Sequence, residues 1–322
     1  MLTHIARRVL VAVPLLLAMS FMTFLFMTVV YRGDPLAQYR MDPTFSEKTL
    51  REMESQYNLD KPPVQRYFLW LGGVLRGDWG RSVSQKQPVA AIVMSRLWPT
   101  LLLSLSSMIC SWMLAVPLGI YCATQQGRWP DRLLSFLAFV GMAAPSFFLA
   151  LLLLWLVSVT GFLPLGGYQS ADYDRLSALG KALDIGRHLI VPTIVLGFGG
   201  MGGLQRVMRG NMLEALRSQY VMTARAKGLP ETRVVYWHAL RTAINPMITI
   251  FGYQLSGLLS GAALMEIVVS WPGLGNLMLA AVRAQDQALV MGSMLISGVL
   301  LIAGNLAADI LLALSDPRIS YS

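Results

Sequence analysis

Residues able to do covalent or metal chemistry are few in this chain and poorly spaced for it. The three histidines, His4, His188 and His238, are scattered and lack metal-ligand spacing. Cys110 and Cys122 fall in one apolar segment; a helix would hold them about 18 Å apart, too far for a disulfide. There is no Gly-x-Ser-x-Gly, no His-Glu-x-x-His and no pair of intramembrane aspartates at a credible spacing. Gly180-Lys181 is the only Gly-Lys pair, its upstream residues do not fit a phosphate loop, and Ala182 follows. The chain therefore has no Walker A site of its own. Nothing supports a resident metal or redox group, and an intramembrane enzyme ranks low.

Two other segments have the composition of working parts. In 208–245, Leu213, Leu216, Tyr220 and Ala224 follow a helical stripe, with Arg217, Arg225 and Lys227 facing solvent or a partner. Gly228 and Pro230 should stop that helix. The plain alternative is a solvated basic loop. The second segment is Ser270-Trp271-Pro272-Gly273-Leu274-Gly275, where Pro-Gly turns the chain and Trp favours a membrane interface. A membrane-edge turn accounts for it about as well as a gate. Glu266 and Asp309 are ionisable residues near span ends, where charge costs less than at the midplane. Gly199-x-x-x-Gly203 permits close helix approach and reads as packing. Pro117 and Pro145 are candidate kinks, and Pro145-Ser146 could line a path.

The elements that position these segments follow from composition. Of 322 residues, 55 % are hydrophobic and 13 % charged, against roughly 25 % charged in soluble domains; the mean hydropathy is +0.55. These values exclude a disordered chain, an ordinary soluble enzyme and a disulfide scaffold. They indicate an all-α membrane protein with several spans. Six are expected. The first is Val9–Val30, read as an uncleaved span because no small-residue cleavage site follows. The others are 97–127 (core 100–123), 132–172 (core 133–160), a short glycine-rich 189–205, 246–269 and 288–314.

Six spans place both termini on one side. With the N-terminus inside, inner segments hold twelve basic residues: Arg7, Arg8, Arg128, Arg132, Arg206, Arg209, Arg217, Arg225, Lys227, Arg233, Arg241 and Arg318. Short outer loops hold four: Arg175, Lys181, Arg187 and Arg283. Both termini are therefore expected to be cytoplasmic. The net charge of +9 reflects these loops and gives no reason to expect nucleic acid.

This divides the chain into a tail and first span (1–30), an extracytoplasmic helical loop (31–97), a five-helix core (98–314) carrying the cytoplasmic loop 208–245, and a tail (315–322). In the outer loop, Thr44-x-x-Glu47 has the form of a capping box, opening a helix with Leu50, Met53 and Tyr57 on one face. Pro62-Pro63 should break it. Val64, Tyr67, Phe68, Leu71 and Leu75 then recur at helical spacing, in a helix expected on the membrane surface or packed on the spans. The loop serves either as a structural cap or as a docking surface for a soluble extracytoplasmic partner.

Tyr220-Val-Met-Thr-Ala-Arg-Ala-Lys-Gly-Leu229 resembles the cytoplasmic EAA loop of binding-protein-dependent ABC importer permeases, above all in the peptide/nickel branch. Further matches come in order: Arg32-Gly-Asp-Pro35, Gly77-Asp-Trp-Gly-Arg-Ser82, Pro117-Leu-Gly119, Ala239-Leu-Arg241, Asn245-Pro246, Glu266, Ser270–Gly275 and Asp316-Pro-Arg318. They cover nearly the whole chain, in an order similar to the B-type subunit of dipeptide/oligopeptide permeases. Met222 and Thr223 stand where the general pattern has Glu-Ala, so no Glu-mediated contact carries over.

The resemblance implies a type I ABC importer permease fold and half of a translocation pathway for di- or oligopeptides, in a bacterial or archaeal cytoplasmic (inner) membrane. It implies a homologous second permease subunit, two ATPase subunits, identical or homologous, that hold the ATP and Mg, and a periplasmic or lipid-anchored substrate-binding protein; membrane lipid surrounds the spans. Ser218, Gln219, Tyr220, Thr223, Ala224, Arg225, Ala226, Lys227, Gly228 and Leu229 would couple to an ATPase groove. There Ala224 and Gly228 would permit close approach, and Arg225 and Lys227 could pair with acidic groups. Glu266, Ser270, Trp271, Pro272 and Gly273 would belong to a gate or pathway. The same scaffold also suits nickel chelates or glutathione. A secondary transporter or channel working alone predicts charges near span midpoints and inverted repeats, and the spans show neither.

Overall fold

A computed structural model describes residues 2–29, 36–257 and 263–315. The Arg32–Pro35 and Asp316–Arg318 motifs lie outside the described residues. The described chain is helical, with one isolated bridge between Arg81 and Pro88. In order the helices are α1 (Leu2–Val29), α2 (Ala37–Met41), α3 (Glu47–Gln56), α4 (Pro63–Leu75), α5 (Val89–Thr124), α6 (Trp129–Ala143), α7 (Ser146–Thr160) and α8 (Ala178–Leu216). They continue with α9 (Gln219–Ala226), α10 (Glu231–Arg233), a π-helical segment (Val234–Ala239), α11 (Leu240–Ala243), α12 (Asn245–Gly257), α13 (Ala263–Val268), α14 (Leu274–Arg283) and α15 (Gln287–Ser315).

Four stretches are each long and apolar enough to cross a membrane: Leu10–Val29, Val89–Thr124, Ala178–Leu216 and Gln287–Ile310. The expected third span is not one straight helix. It is the pair α6 and α7, bent by 106°. Pro145 causes the break: it has no N–H to continue the ladder and holds Ala144 extended, at φ −76°, ψ 130°. Pro117, by contrast, lies within an uninterrupted α5. The fourth span is far longer than its apolar core, because α8 runs 39 residues, about 58 Å. The expected fifth span corresponds to α12 and α13, and residues 258–262 between them lie outside the described set.

The chain forms two compact units. The first comprises the described residues up to 100, 263 and 272–303. In it, Val89, Val93, Leu274, Leu277, Leu289 and Val290 form a buried core. Helix α4 packs on α1: the Tyr67 hydroxyl is 3.0 Å from that of Ser20, and its ring meets Phe21 edge-on at 5.2 Å. Two expectations change here. The cap of α3 is Ser46, whose hydroxyl accepts from the Thr49 N–H at 3.2 Å; Thr44 instead donates to Asp42. The helix also ends before the prolines, at Asn58, which takes φ +56°. Pro63 opens α4, where a missing N–H costs nothing.

The Gly77–Ser82 motif closes onto the start of α15. Asp286 is fully buried and caps α15 by accepting from the Leu289 N–H at 3.1 Å. Its other oxygen accepts from the Ser82 hydroxyl (2.6 Å), the Ser84 hydroxyl (2.8 Å) and the Ser84 N–H (2.9 Å).

The second unit holds the described residues of 101–257, 264–271 and 304–315. Its core joins Ala115, Met201, Met208, Met212, Val234 and Met247. Close packing does rest on glycines of α8, but not on the expected Gly199 and Gly203. A Cβ on Gly203 would meet nothing within 4 Å, and one on Gly199 would make only ordinary contact. The glycines that interlock are Gly197 against Cys110, Gly200 against Ser111 and Gly202 against Ala138.

Candidate functional site

Helix α8 ends at Leu216, and α9 starts at Gln219. The expected stripe is therefore split: Leu213 and Leu216 belong to α8, and Tyr220 and Ala224 to α9. The chain turns at Ser218, whose hydroxyl donates to the Ala215 carbonyl at 2.5 Å. The buried face of α9 is Val221 and Ala224. Tyr220 points outward instead, at 43 % exposure. Ala224 is small because it sits in the internal core, so it does not offer close approach to a partner. The outward face is Gln219, Tyr220, Met222, Thr223, Ala226 and Lys227.

Of the two expected stop signals, Gly228 ends α9, whereas Pro230 caps the start of α10. The Leu229 N–H donates to the Ala224 carbonyl (3.4 Å) and the Gly228 N–H to that of Arg225 (2.9 Å), with Gly228 at φ +74°. This is the Schellman arrangement. Gly228 is needed for its backbone conformation, since a Cβ there would meet open space. Leu229 then packs against the core cluster.

Arg225 already has its acid within this chain. Its Nε and Nη2 donate to the two carboxylate oxygens of Glu231 at 3.1 and 2.6 Å, and Nη1 reaches the Leu216 carbonyl at 3.5 Å. The guanidinium hydrogen bond holds the Glu231 carboxyl below the usual glutamate range. Because the folded value is depressed, the contribution of the pair is present above the ordinary glutamate pKa and is lost as pH falls. Arg225 thus ties the end of α8, α9 and α10 together, and Lys227 is left as the outward cation.

The second candidate segment is a Schellman turn as well. The Trp271 N–H donates to the Glu266 carbonyl (2.7 Å) and that of Ser270 to Ile267 (3.2 Å). Ser270 makes the turn, at φ +54°, in the place ordinarily taken by glycine. Pro272 and Gly273 do not; Gly273 caps α14. Trp271 is fully buried and so is no interfacial anchor. Its ring meets Tyr168 edge-on at 5.1 Å, and burying it is worth roughly 3 kcal/mol. Glu266 is buried too.

Sequence reasoning missed the loop that covers this turn. The Gly167 N–H donates to the Val269 carbonyl at 2.8 Å, and Gly166, at φ +144°, would place a Cβ 2.6 Å from that oxygen. The one available signal was the Gly166-Gly167-Tyr168 string. A Ser270→Gly variant should unfold at a slightly higher temperature. Relief of a left-handed non-glycine residue gains about 1 kcal/mol, less the extra chain entropy that glycine loses. A lower melting temperature in detergent would contradict this account of the turn.

A third arrangement was also not foreseen. Asp131, at the start of α6, accepts from Arg209 of α8 through both oxygens at 2.7 Å, and from the Gly127 N–H at 2.9 Å. The aspartate side chain is only 4 % exposed. The two residues lie 78 positions apart, beyond any local pairing rule.

These parts suit movement better than bond chemistry: a short capped helix, a 39-residue helix and an ion pair joining α6 to α8. Comparisons with known proteins agree. A family model described as the inner membrane component of binding-protein-dependent transport systems matches residues 115–321, and its N-terminal companion matches residues 1–105. The oligopeptide transport system permease protein AppB of Bacillus subtilis is 38 % identical, and all of both chains is covered. The dipeptide transport system permease protein DppB of Escherichia coli is 33 % identical over all of this chain and 99 % of its own. The glutathione transport system permease protein GsiC of Salmonella paratyphi A is 34 % identical over all of both. Among solved structures, a chain of the inward-facing MetNI methionine ABC transporter superposes with a TM-score of 0.55. That match covers 70 % of this chain and 97 % of the other, and at 16 % identity it speaks to the fold alone.

Proposed function

This chain belongs to the family of binding-protein-dependent transport system inner membrane components, and from that premise we propose that it lines half of a path by which peptides enter the cell. It is a multi-pass, type I ABC importer permease of the inner membrane, working with ATPase and substrate-binding components and hydrolysing no ATP itself. Peptide cargo is supported by the names of its AppB and DppB relatives. Glutathione is the second reading, supported by the whole-length likeness to GsiC. A homologous permease supplies the other half of the path, and two ATPase subunits carry ATP and Mg. Both termini, α9 and α10 lie on the cytoplasmic side, where the basic residues concentrate, and a binding protein delivers cargo from outside.

The observation that carries the coupling role is the build of α9. It is anchored inward by Val221 and Ala224, closed by Gly228 and braced by Arg225 on Glu231. Its exposed face, from Gln219 to Lys227, seats in a groove of one ATPase. ATP binding draws the ATPases together, and α9 passes that movement to α8 through two residues, Arg217 and Ser218. The outer mouth then opens and admits the cargo; hydrolysis returns the assembly inward. Ser270–Gly273 stands beside that mouth.

Ala226 is exposed and outside the core, so Ala226→Trp should leave the fold intact while obstructing the groove. Transport in reconstituted vesicles should fall at least about tenfold, the equivalent of 1.4 kcal/mol, with an unchanged melting temperature. Undiminished uptake by that variant would overturn the role given to α9.

A further inference from the structure

The first unit contains a cavity of about 270 Å³ that the transport reading does not use. Its walls come from helices α3 and α4, the segment 78–83 and the start of α15. Phe24, Leu69 and Met291 give it an apolar lining; the charged lining residues are Arg66, Arg81 and Asp78.

The cations are unevenly matched. Arg66 donates only to the neutral amide of Gln287, and Arg81 to the Lys86 carbonyl at 3.2 Å. Among the described residues, neither guanidinium forms an ion pair. The single carboxylate, Asp78, accepts from the Gly80 N–H at 2.9 Å. The lining therefore carries one net positive charge beside an apolar surface. Burial pulls the Arg66 guanidinium below its ordinary range, the sign of a charge that has lost water without gaining an anion. A bound anion would remove that penalty, and a planar carboxylate matches a guanidinium with two parallel hydrogen bonds.

We propose that this cavity binds a small amphipathic carboxylate, its apolar body against Phe24, Leu69 and Met291 and its anionic end on Arg66 and Arg81. The volume limits the occupant to about the size of one aromatic amino acid. The site lies wholly within the first unit and does not depend on the identity of the transported cargo.

The test uses the assembled transporter in nanodiscs, without binding protein, and two probes of one shape: 3-phenylpropionate and 3-phenylpropionamide. The acid should bind saturably and at least tenfold more tightly than the amide by calorimetry. It should also raise the melting temperature, because a ligand of the native state stabilises it by mass action. Arg66→Gln should erase the preference for the acid, and Leu69→Trp should fill the cavity and abolish binding of both probes. If Arg66→Gln does not assemble, Arg81→Gln decides, with at least a threefold loss of the preference expected. Equal affinity for acid and amide overturns the proposal. So does a preference retained in the arginine variant, or an uptake that only follows lipid content.

Discussion

Replacing Arg209 with methionine should destabilise the protein by about 3 kcal/mol, the low end of the cost of removing one partner from a buried ion pair, because Arg209 is itself 29 % exposed. Asp131 would remain with its carboxylate 4 % exposed, served only by the Gly127 N–H and a 3.4 Å contact from Ser135. The double variant Asp131→Asn, Arg209→Met should recover most of the loss, since a buried pair stabilises little over a neutral replacement. Melting temperature in detergent would rank the three proteins. A single variant as stable as wild type would mean that the Asp131–Arg209 latch is not closed in solution. Transport should fall further than stability alone explains. Arg209 lies seven residues before the end of α8 at Leu216, on the stretch that carries α9. Releasing it from α6 lets α9 move without moving the span beside it. Uptake in the double variant tests this: its stability returns, but its charge latch does not.

The latch also marks where sequence reading stops. Four of the six expected spans, the basic segment and the end of α9 at Gly228 were legible because each follows from local chemistry: apolar length, charge, a glycine before a proline. The inward face of α9 was not, because the chain turns at Ser218 without proline or glycine and resets the helical phase. Val221 then replaces Tyr220 on the buried side. Arg225 and Glu231 lie six apart in sequence, outside the usual spacing of helical ion pairs. Only the turn at Gly228 makes them neighbours. Left-handed positions taken by Asn58, Ser270 and Gln285 end α3, α13 and α14 with no glycine to announce them. Asp286 had a weak signal, an aspartate before an apolar run, but its hydrogen bonds to Ser82 and Ser84 join positions 204 and 202 apart. The burial of Trp271 against Tyr168 was not legible, because composition cannot tell an exposed interfacial tryptophan from one sealed under a loop.

Neighbouring glycines of α8 should respond to alanine in opposite directions. In Gly202→Ala the new methyl would lie 2.3 Å from the Ala138 carbonyl oxygen and 2.6 Å from Cγ of Met142. The methionine can swing aside, but the carbonyl belongs to the backbone of α6. The two helices must therefore part, at a cost of about 1–3 kcal/mol. Part of the Asp131–Arg209 latch should open with them, because it joins the same pair of helices. In Gly203→Ala the methyl meets nothing within 4 Å, and alanine gains up to about 1 kcal/mol of helix propensity over glycine. Melting temperatures of the two variants in the assembled transporter should therefore lie on either side of wild type. If they shift together, α6 and α8 do not meet at Gly202, and the latch between them is misplaced as well. The contrast separates two uses of a small residue that a Gly-x-x-x-Gly pattern merges: Gly202 admits another backbone, whereas Gly203 merely borders it.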